Sequence, residues 1–316
     1  MKKRVVYGSI AMVLLLIGAT VWGSFYMLNY SLCPNETLLS KEADSYPYMY
    51  KEYPFLEAWV DSLRKEDALR DTFITNPQGV QLHAYYIRAP RPTSQTAVIV
   101  HGCTDNAIRM FMIGYLYNRD LQFNVLLPDL QHHGDSEGDA IQMGWKDRLD
   151  VMQWMNLAQG LYGDSTQMVV HGISMGAATT MMVSGEEQPD FVKCFVEDCG
   201  YPSVWDEFAN ELKTKHHLPP FPLMYTTSLL CRQKYGWSFS EASALNQVAK
   251  CRLPMFFIHG DKDTYVPTWM VYPLYEAKPG EKELWIVPGA AHALSYQENK
   301  EEYTDRVRTF VGRYLH

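Results

Sequence analysis

The stretch VVHGISMGAAT, residues 169–179, is where residue types and spacing first suggest chemistry. An apolar run stops at His171-Gly172, and one serine, Ser174, stands between Gly172 and Gly176. This is a G-x-S-x-G pentapeptide placed after an apolar strand and before a helix-forming stretch. In that context the serine is a nucleophile held out on a sharp strand-to-helix turn. The positions two before and two after it approach closely, which is why both are glycine. The competing reading is a structural turn.

A serine hydroxyl attacks only when a base takes its proton, and the base needs an acid to orient it. Ten histidines compete for the base. His101, His171 and His259 each precede a glycine at the end of an apolar run and read as structural hydrogen-bond partners. His83 lies in a hairpin, His216 and His217 lie in a long insertion, and His316 is terminal. His292 differs: it sits in the loop PGAAHALSY, after the last strand and before the last helix, free to lie over the serine. For the acid, HGDKDTYVP offers Asp261 and Asp263. Pro267 reads as a helix start, which leaves Asp263 in mid-loop within reach of His292, while Asp261 at the strand end reads as a brace. Asp198, after the preceding strand, is the third candidate. Donors to a developing oxyanion are expected from the backbone N–H groups of Met175 and Cys103. That role uses backbone, and no catalytic thiol is expected at Cys103. In PDLQHHGDSEGD, residues 128–139, His132 and His133 beside Asp129 and Asp135 could suggest a metal site. Gly134 and Gly138 around Ser136 instead favour a tight structural loop, so neither a metal nor an organic cofactor is expected.

These residues need elements to position them. TAVIVHG, FNVLLPD, MVVHG, KCFVEDCG, PMFFIHGD and KELWIVPG are short apolar runs separated by helical stretches at about 107–119, 144–160, 175–185, 267–277 and 296–315. That alternation predicts an α/β fold with a mostly parallel central sheet covered by helices on both faces. In such sheets the chemistry gathers at the carboxyl ends of the strands, where the residues above all fall. DTFITNPQGVQLHAYYI reads as a β-hairpin turning at Asn76-Pro-Gln-Gly79. Residues 201–250 break the alternation; rich in aromatics and prolines, they read as a helical lid over a substrate pocket, or else as a helical excursion with its own core.

The N-terminus is a separate piece. Lys2, Lys3 and Arg4 precede an uncharged run over 5–28, long enough to span a bilayer. Trp22, Phe25 and Tyr26 near its end favour an uncleaved anchor over a signal peptide. The basic residues predict a cytoplasmic tail, residues 1–4, and a single-pass protein with its catalytic domain on the extracytoplasmic side. Residues 29–68 read as a linker, polar and Tyr/Pro-rich over 33–50, followed by an amphipathic helix after Pro54 in which Phe55, Trp59 and Leu63 recur. The hydrolytic domain is expected over 69–316. The chain carries a net charge of −8, and the part beyond the anchor is more acidic still. That argues against nucleic acid as a partner, because phosphate binding needs clustered Lys and Arg. Six cysteines form no C-x-x-C pair, and no disulfide pairing follows from them.

Taken together, VHGCTDN, PDLQHHGDSEG, HGISMGA, FIHGDKDTYVP and AAHALSY, in this order, resemble the α/β-hydrolase superfamily, specifically its bacterial single-span members with an esterase-like domain. The resemblance covers about residues 71–315. It implies an α/β-hydrolase fold, a Ser174, Asp263, His292 triad in the Ser…Asp…His order of that fold, and hydrolysis through an acyl-enzyme. Relatives often carry Arg-Gly-His where this chain has Gln131-His132-His133, which bears on loop packing and not on the triad. The leading expectation is a serine hydrolase of carboxylic esters acting on a small, apolar ester or acyl substrate. A peptidase or amidase, a thioesterase or an acyltransferase would use the same triad; a dehalogenase would carry Asp at position 174. A binding protein of hydrolase fold is the reading from another class, and it would ordinarily lack a triad member.

Overall fold

The computed structural model describes residues 2–34 and 39–316; the expected linker falls partly outside them, at 35–38. Eight strands form one sheet in the order β1-β2-β4-β3-β5-β6-β7-β8. β1 (Leu69–Thr75) and β2 (Gln81–Ile87) are the expected hairpin, and β2 joins β4 (Asn124–Pro128) antiparallel. β3 (Gln95–Val100), β4, β5 (Gln167–Ile173), β6 (Val192–Asp198), β7 (Met255–Gly260) and β8 (Lys282–Val287) pair in parallel. The predicted α/β-hydrolase fold is therefore present.

Strands β3 to β7 are buried on both faces, so adjacent residues serve different cores. Val98, Val100, Met168 and Val170 point to one side, under α5 (Asp147–Tyr162), α6 (Met175–Ser184) and α10 (Val271–Ala277). Ala97, Ile99, Val125 and Val169 point to the other, under α3 (Phe55–Lys65), α4 (Phe111–Tyr115) and α12 (Lys300–Val311), which follows the short α11 (Ser295–Glu298). The helix expected at 107–119 is three pieces: a 3-10 turn Ala107–Met110, α4, and a π turn Leu116–Asp120.

The structure corrects the linker reading of 33–50. Its second half is a helix, α2 (Glu42–Glu52), despite an interior Pro47. Tertiary contacts hold it. Buried Ser45 Oγ accepts from Asn106 Nδ2 at 2.9 Å and Arg109 Nε at 3.2 Å, and the Arg109 guanidinium lies over the Tyr48 ring. Helix α3 packs Leu56, Trp59, Val60 and Leu63 onto the domain, as its stripe predicts.

Between β6 and β7 the insertion folds as α7 (Val204–His216), α8 (Leu223–Tyr235) and α9 (Ala244–Val248). Phe208, Trp237 and Phe239 join the core beneath α5 and α6, and Trp237 Nε1 donates to Gln142 Oε1 at 2.9 Å. The insertion is thus continuous with the main core on its inner side.

Helix α1 (Lys2–Leu32) is the long N-terminal helix. Val6–Leu32 is long and apolar enough to cross a membrane and is almost wholly uncovered by the rest of the chain. Only its last third is packed: Ser24, Leu28 and Leu32 are buried, and Ser24 Oγ lies 2.5 Å from Thr226 Oγ1 of α8.

Candidate active site

Strand β5 runs straight into α6, and Ser174 is the single residue of the corner. Its φ of 59° and ψ of −120° lie in a region that side-chain-bearing residues rarely adopt. Two glycines permit the corner. A Cβ on Gly172 would stand 2.0 Å from the Gly176 carbonyl oxygen, and one on Gly176 would stand 2.0 Å from that of Val100. The strain is held by the fold: Ser174 N–H donates to the Asp198 carbonyl at 2.8 Å, tying the corner to the end of β6.

The structure brings the three residues singled out in the sequence together. Ser174 Oγ is 2.8 Å from His292 Nε2, and His292 Nδ1 is 2.7 Å from Asp263 Oδ2. Asp263 is buried, and its other oxygen, Oδ1, accepts from the backbone N–H groups of Tyr265 and Val266, both at 2.9 Å. Burial alone would raise its pKa, but hydrogen bonds from His259 and His292 outweigh it and hold the carboxyl below its ordinary value. An ionised Asp263 accepts a hydrogen bond from His292 Nδ1–H, which keeps the proton on Nδ1 and leaves Nε2 as the acceptor facing the serine. His292 itself is part-exposed, under the ring of Tyr265 at 4.9 Å between centroids.

The other candidates have different work. Asp261 Oδ1 accepts from Gly289 N–H at 2.7 Å and braces the His292 loop, as expected. Gly260 lets that loop pass, since a Cβ there would lie 2.2 Å from the Ala290 carbonyl oxygen. Asp198 stands behind the site, accepting from Ser295 Oγ and Tyr303 OH at 3.1 Å each. Tyr303 OH continues to His171 Nε2 at 3.0 Å, and His171 Nδ1 to Tyr117 OH at 3.1 Å. Burial drives His171 down to about 3 and Asp198 up to about 6. His101 Nε2 accepts from Leu130 N–H at 2.9 Å, and His133 Nε2 accepts from Thr104 N–H at 3.1 Å, which shapes the loop carrying Cys103. His132 Nδ1 donates to the Gly138 carbonyl, and Asp129 accepts from His83, Ala107 and Asp135, so these residues are engaged with the loop itself and with the neighbouring β2 and Ala107 turn.

Met175 is the first residue of α6, so its N–H has no partner in the helix. Gly102 abuts the serine from the opposite side; a Cβ there would lie 3.5 Å from Ser174 Cβ. Cys103, Ser174 and Met175 line one cavity. The Cys103 thiol is pushed up to about 12 by burial and stays neutral.

Several features had no signal in the sequence. Cys199, in left-handed backbone at φ 55°, places its sulfur near Asp263 and His292, and the three could together offer ligands to a metal. Burial holds that thiol well above its ordinary value, which favours a neutral S–H over a metal-binding thiolate. A cavity of about 160 Å³ opens beside Ser174, with Met143, Met175, Phe208 and Val266 in its walls. Glu207 also faces it, buried, and among the described residues neither carboxyl oxygen has a partner. Burial first, then the charges of Glu211 and Asp263, raise Glu207 to about 8 against the weaker pull of Lys215. The outer wall of the cavity includes Tyr30, Ser31 and Pro34, at the end of α1 and just beyond it.

Comparison with known proteins agrees with this architecture. The model of the prolyl oligopeptidase family, peptidase S9, matches residues 132–316. The chain belongs to this family. It is 30% identical over 238 residues to the "Uncharacterized protein YqkD" of Bacillus subtilis, covering 75% of this chain and 77% of that one. Yeast YNL320W, described as an "Uncharacterized membrane protein", is 22% identical over 76% of this chain and 78% of its own. Among solved structures, the Pyrococcus furiosus esterase Pf2001 superposes with a TM-score of 0.64 at 25% identity, covering 78% of this chain and 93% of the esterase. A CIB-like hydrolase from Thermoplasma acidophilum superposes at 0.53 with 18% identity, over 77% of this chain and 98% of that one. The protein is accordingly an α/β-fold hydrolase with an N-terminal helix able to serve as a membrane anchor.

Proposed function

We propose that the protein is a serine hydrolase that cleaves carboxylic esters through an acyl-enzyme on Ser174. The observation that carries this reading is the relay from Ser174 Oγ through His292 to a buried Asp263, beside an apolar cavity. His292 Nε2 takes the hydroxyl proton as Oγ bonds to the ester carbonyl carbon. The carbonyl oxygen becomes an oxyanion facing the amides of Met175 and Cys103. Its collapse breaks the ester bond, and imidazolium His292 gives the proton to the departing alkoxide, releasing an alcohol. Water, deprotonated by the same nitrogen, then attacks the acyl carbon and releases the acid, and the proton returns to Ser174. Every proton passes through one imidazole, and nothing beyond water is consumed.

A cavity of about 160 Å³ is the size of one that takes a single benzene ring, so it accommodates a short acyl group or the first carbons of a longer one. The substrate is then a small or single-chain apolar ester. Similarity to a solved esterase supports this reading. The family description favours a second one, peptide hydrolysis, with Glu207 receiving an amine in the pocket. In the proposed topology α1 spans the membrane, its basic start lies in the cytoplasm, and the hydrolytic domain lies outside.

The deciding assay compares the detergent-solubilised full chain on p-nitrophenyl esters from acetyl to palmitoyl with its action on aminoacyl p-nitroanilides, with Ser174→Ala in parallel. Ester turnover that disappears in the variant is expected. Turnover of the anilides alone would replace the ester reading with the peptidase one.

A further inference from the structure

Helix α1 does not simply tether the domain. Gly23 abuts Leu223, a Cβ there lying 3.2 Å from Leu223 Cδ1. Ser24 meets Thr226, and Cys33 Sγ lies 3.1 Å from Tyr235 OH. The two helices therefore run side by side in the same direction, and α8 begins at the height of Gly23. Counting about 20 residues for a bilayer crossing from Val6 puts the outer hydrocarbon boundary near Phe25. The loop 217–222 descends to that boundary as it enters α8: His216, just before it, meets Tyr30, and Leu223, just after it, meets Gly23.

That loop is built for such a place. Its sequence, HLPPFP, is exposed throughout, with Phe221 72% accessible. On α8, Tyr225 and Leu229 continue from Phe221 at intervals of four, a single apolar stripe with exposures of 58% and 56%. Lys213, Lys215, His216 and His217 precede it, basic residues on a chain that is acidic overall, although Lys215 is paired with Glu211. A basic flank followed by an apolar, aromatic tip is the pattern of a segment lying in a membrane interface. The exposed stripe is level with the exposed Trp22, Phe25 and Tyr26 of α1, so one bilayer covers both.

The cavity opens on the same side. Tyr30 is five residues beyond Phe25, about 7 Å along the helix, which is headgroup depth. Tyr30 and Ser31 of α1 and Phe208 and Lys215 of α7 are among the cavity's lining residues. The Tyr30 ring meets that of His216 edge-on at 6.1 Å, closing the gap between α1 and the insertion.

We infer that the tip 217–222 and the Phe221–Tyr225–Leu229 stripe rest in the bilayer that α1 crosses, and that the enzyme draws its ester from the membrane. The substrate is an amphiphile whose acyl carbonyl lies at headgroup depth and whose chain leaves the cavity past Tyr30 toward the hydrocarbon. The substrate clause rests on the ester-hydrolase reading; the docking clause rests on the placement of α1 and α8.

The test uses the full chain in vesicles of phosphatidylcholine with phosphatidylglycerol. A photoreactive benzoylphenylalanine replaces Phe221 in one variant and Tyr314, beside the opposite ends of the strands, in another. Irradiation is expected to attach lipid at 221 and not at 314. In parallel, Phe221→Asp with Leu229→Asp is assayed on soluble p-nitrophenyl butyrate and on a fluorogenic palmitoyl ester dissolved in the vesicles. We expect kcat/KM to fall about tenfold or more on the vesicle ester and to stay within about twofold on the soluble one, which also shows that the variant folds. No lipid adduct at 221, an adduct to a second protein chain instead, or equal effects on both esters would overturn the inference. A wild-type enzyme that cleaves neither ester refutes the ester reading, while the crosslink still decides the docking.

Discussion

Replacing Glu207 by Gln should change how both stability and substrate binding depend on pH. The carboxyl is buried in the wall of the cavity, without a partner among the described residues, and its pKa rises from 4.5 to about 8. The folded protein therefore retains a proton that the unfolded chain has lost over most of that interval. Stability contributed by this group is fully present below pH 4.5, declines as pH rises, and is gone once the folded value near 8 is passed. The slope is about 1.4 kcal/mol per pH unit, so the loss between pH 5.5 and 8 is about 3 kcal/mol. Gln is nearly isosteric and does not titrate, and the other groups cancel in the comparison. Urea unfolding of both full-length proteins in detergent, followed by tryptophan fluorescence across that range, should show the Gln variant gaining on wild type by about 3 kcal/mol and no further above pH 8. KM for an apolar ester should rise above pH 8 in wild type, where a carboxylate faces the acyl group, and stay level in the variant. Parallel stability curves would show that Glu207 has a partner or an open path to water, and would refute the reasoning.

Three further outcomes follow from the geometry. Asp263→Asn should lower kcat by on the order of 10⁴-fold, as loss of the orienting carboxylate does in serine triads, while Asp198→Asn, whose carboxylate bonds to Ser295 and Tyr303 and whose backbone hold on Ser174 is kept, should cost less than about tenfold; steady-state kinetics on one soluble ester distinguishes them. Gly176→Ala places a Cβ 2.0 Å from the Val100 carbonyl and should destabilise the protein by about 3 kcal/mol or more, read as a lower urea midpoint. Cys103→Ser should leave kcat within a few-fold, because the proposed contribution of this residue is its N–H; loss of activity would place the thiol itself in the chemistry.

The parts legible in the sequence share one property: local pattern determines them. Each strand of the parallel sheet is a short apolar run ended by a glycine or aspartate, and Gly172 and Gly176 announce the Ser174 corner because no other residue fits it. Asp263 and His292 could be picked from their rivals because they lie in mid-loop beyond strand ends. The insertion was visible as an interruption, but its inner packing through Trp237 and Phe239 was not. What stayed hidden depends on partners distant in sequence. EADSYPYMYKE has weak helical character and an interior proline, and becomes helical through Ser45, Tyr48 and the residues around Asn106. Glu207 looks like any acidic residue in the first turn of a helix until burial removes its water. Nothing near Tyr30 marks it as a pocket wall; that follows only once α1 lies along α8, some 200 residues away in sequence.

The most direct test of the central claim is to trap the acyl-enzyme. The full-length protein is mixed with a p-nitrophenyl ester, quenched in acid within the first turnover, digested and analysed by mass spectrometry. The account predicts a burst of nitrophenol and a peptide containing Ser174 heavier by one acyl group, both absent in Ser174→Ala. An acyl group found on another residue, or turnover that survives in Ser174→Ala, would contradict it.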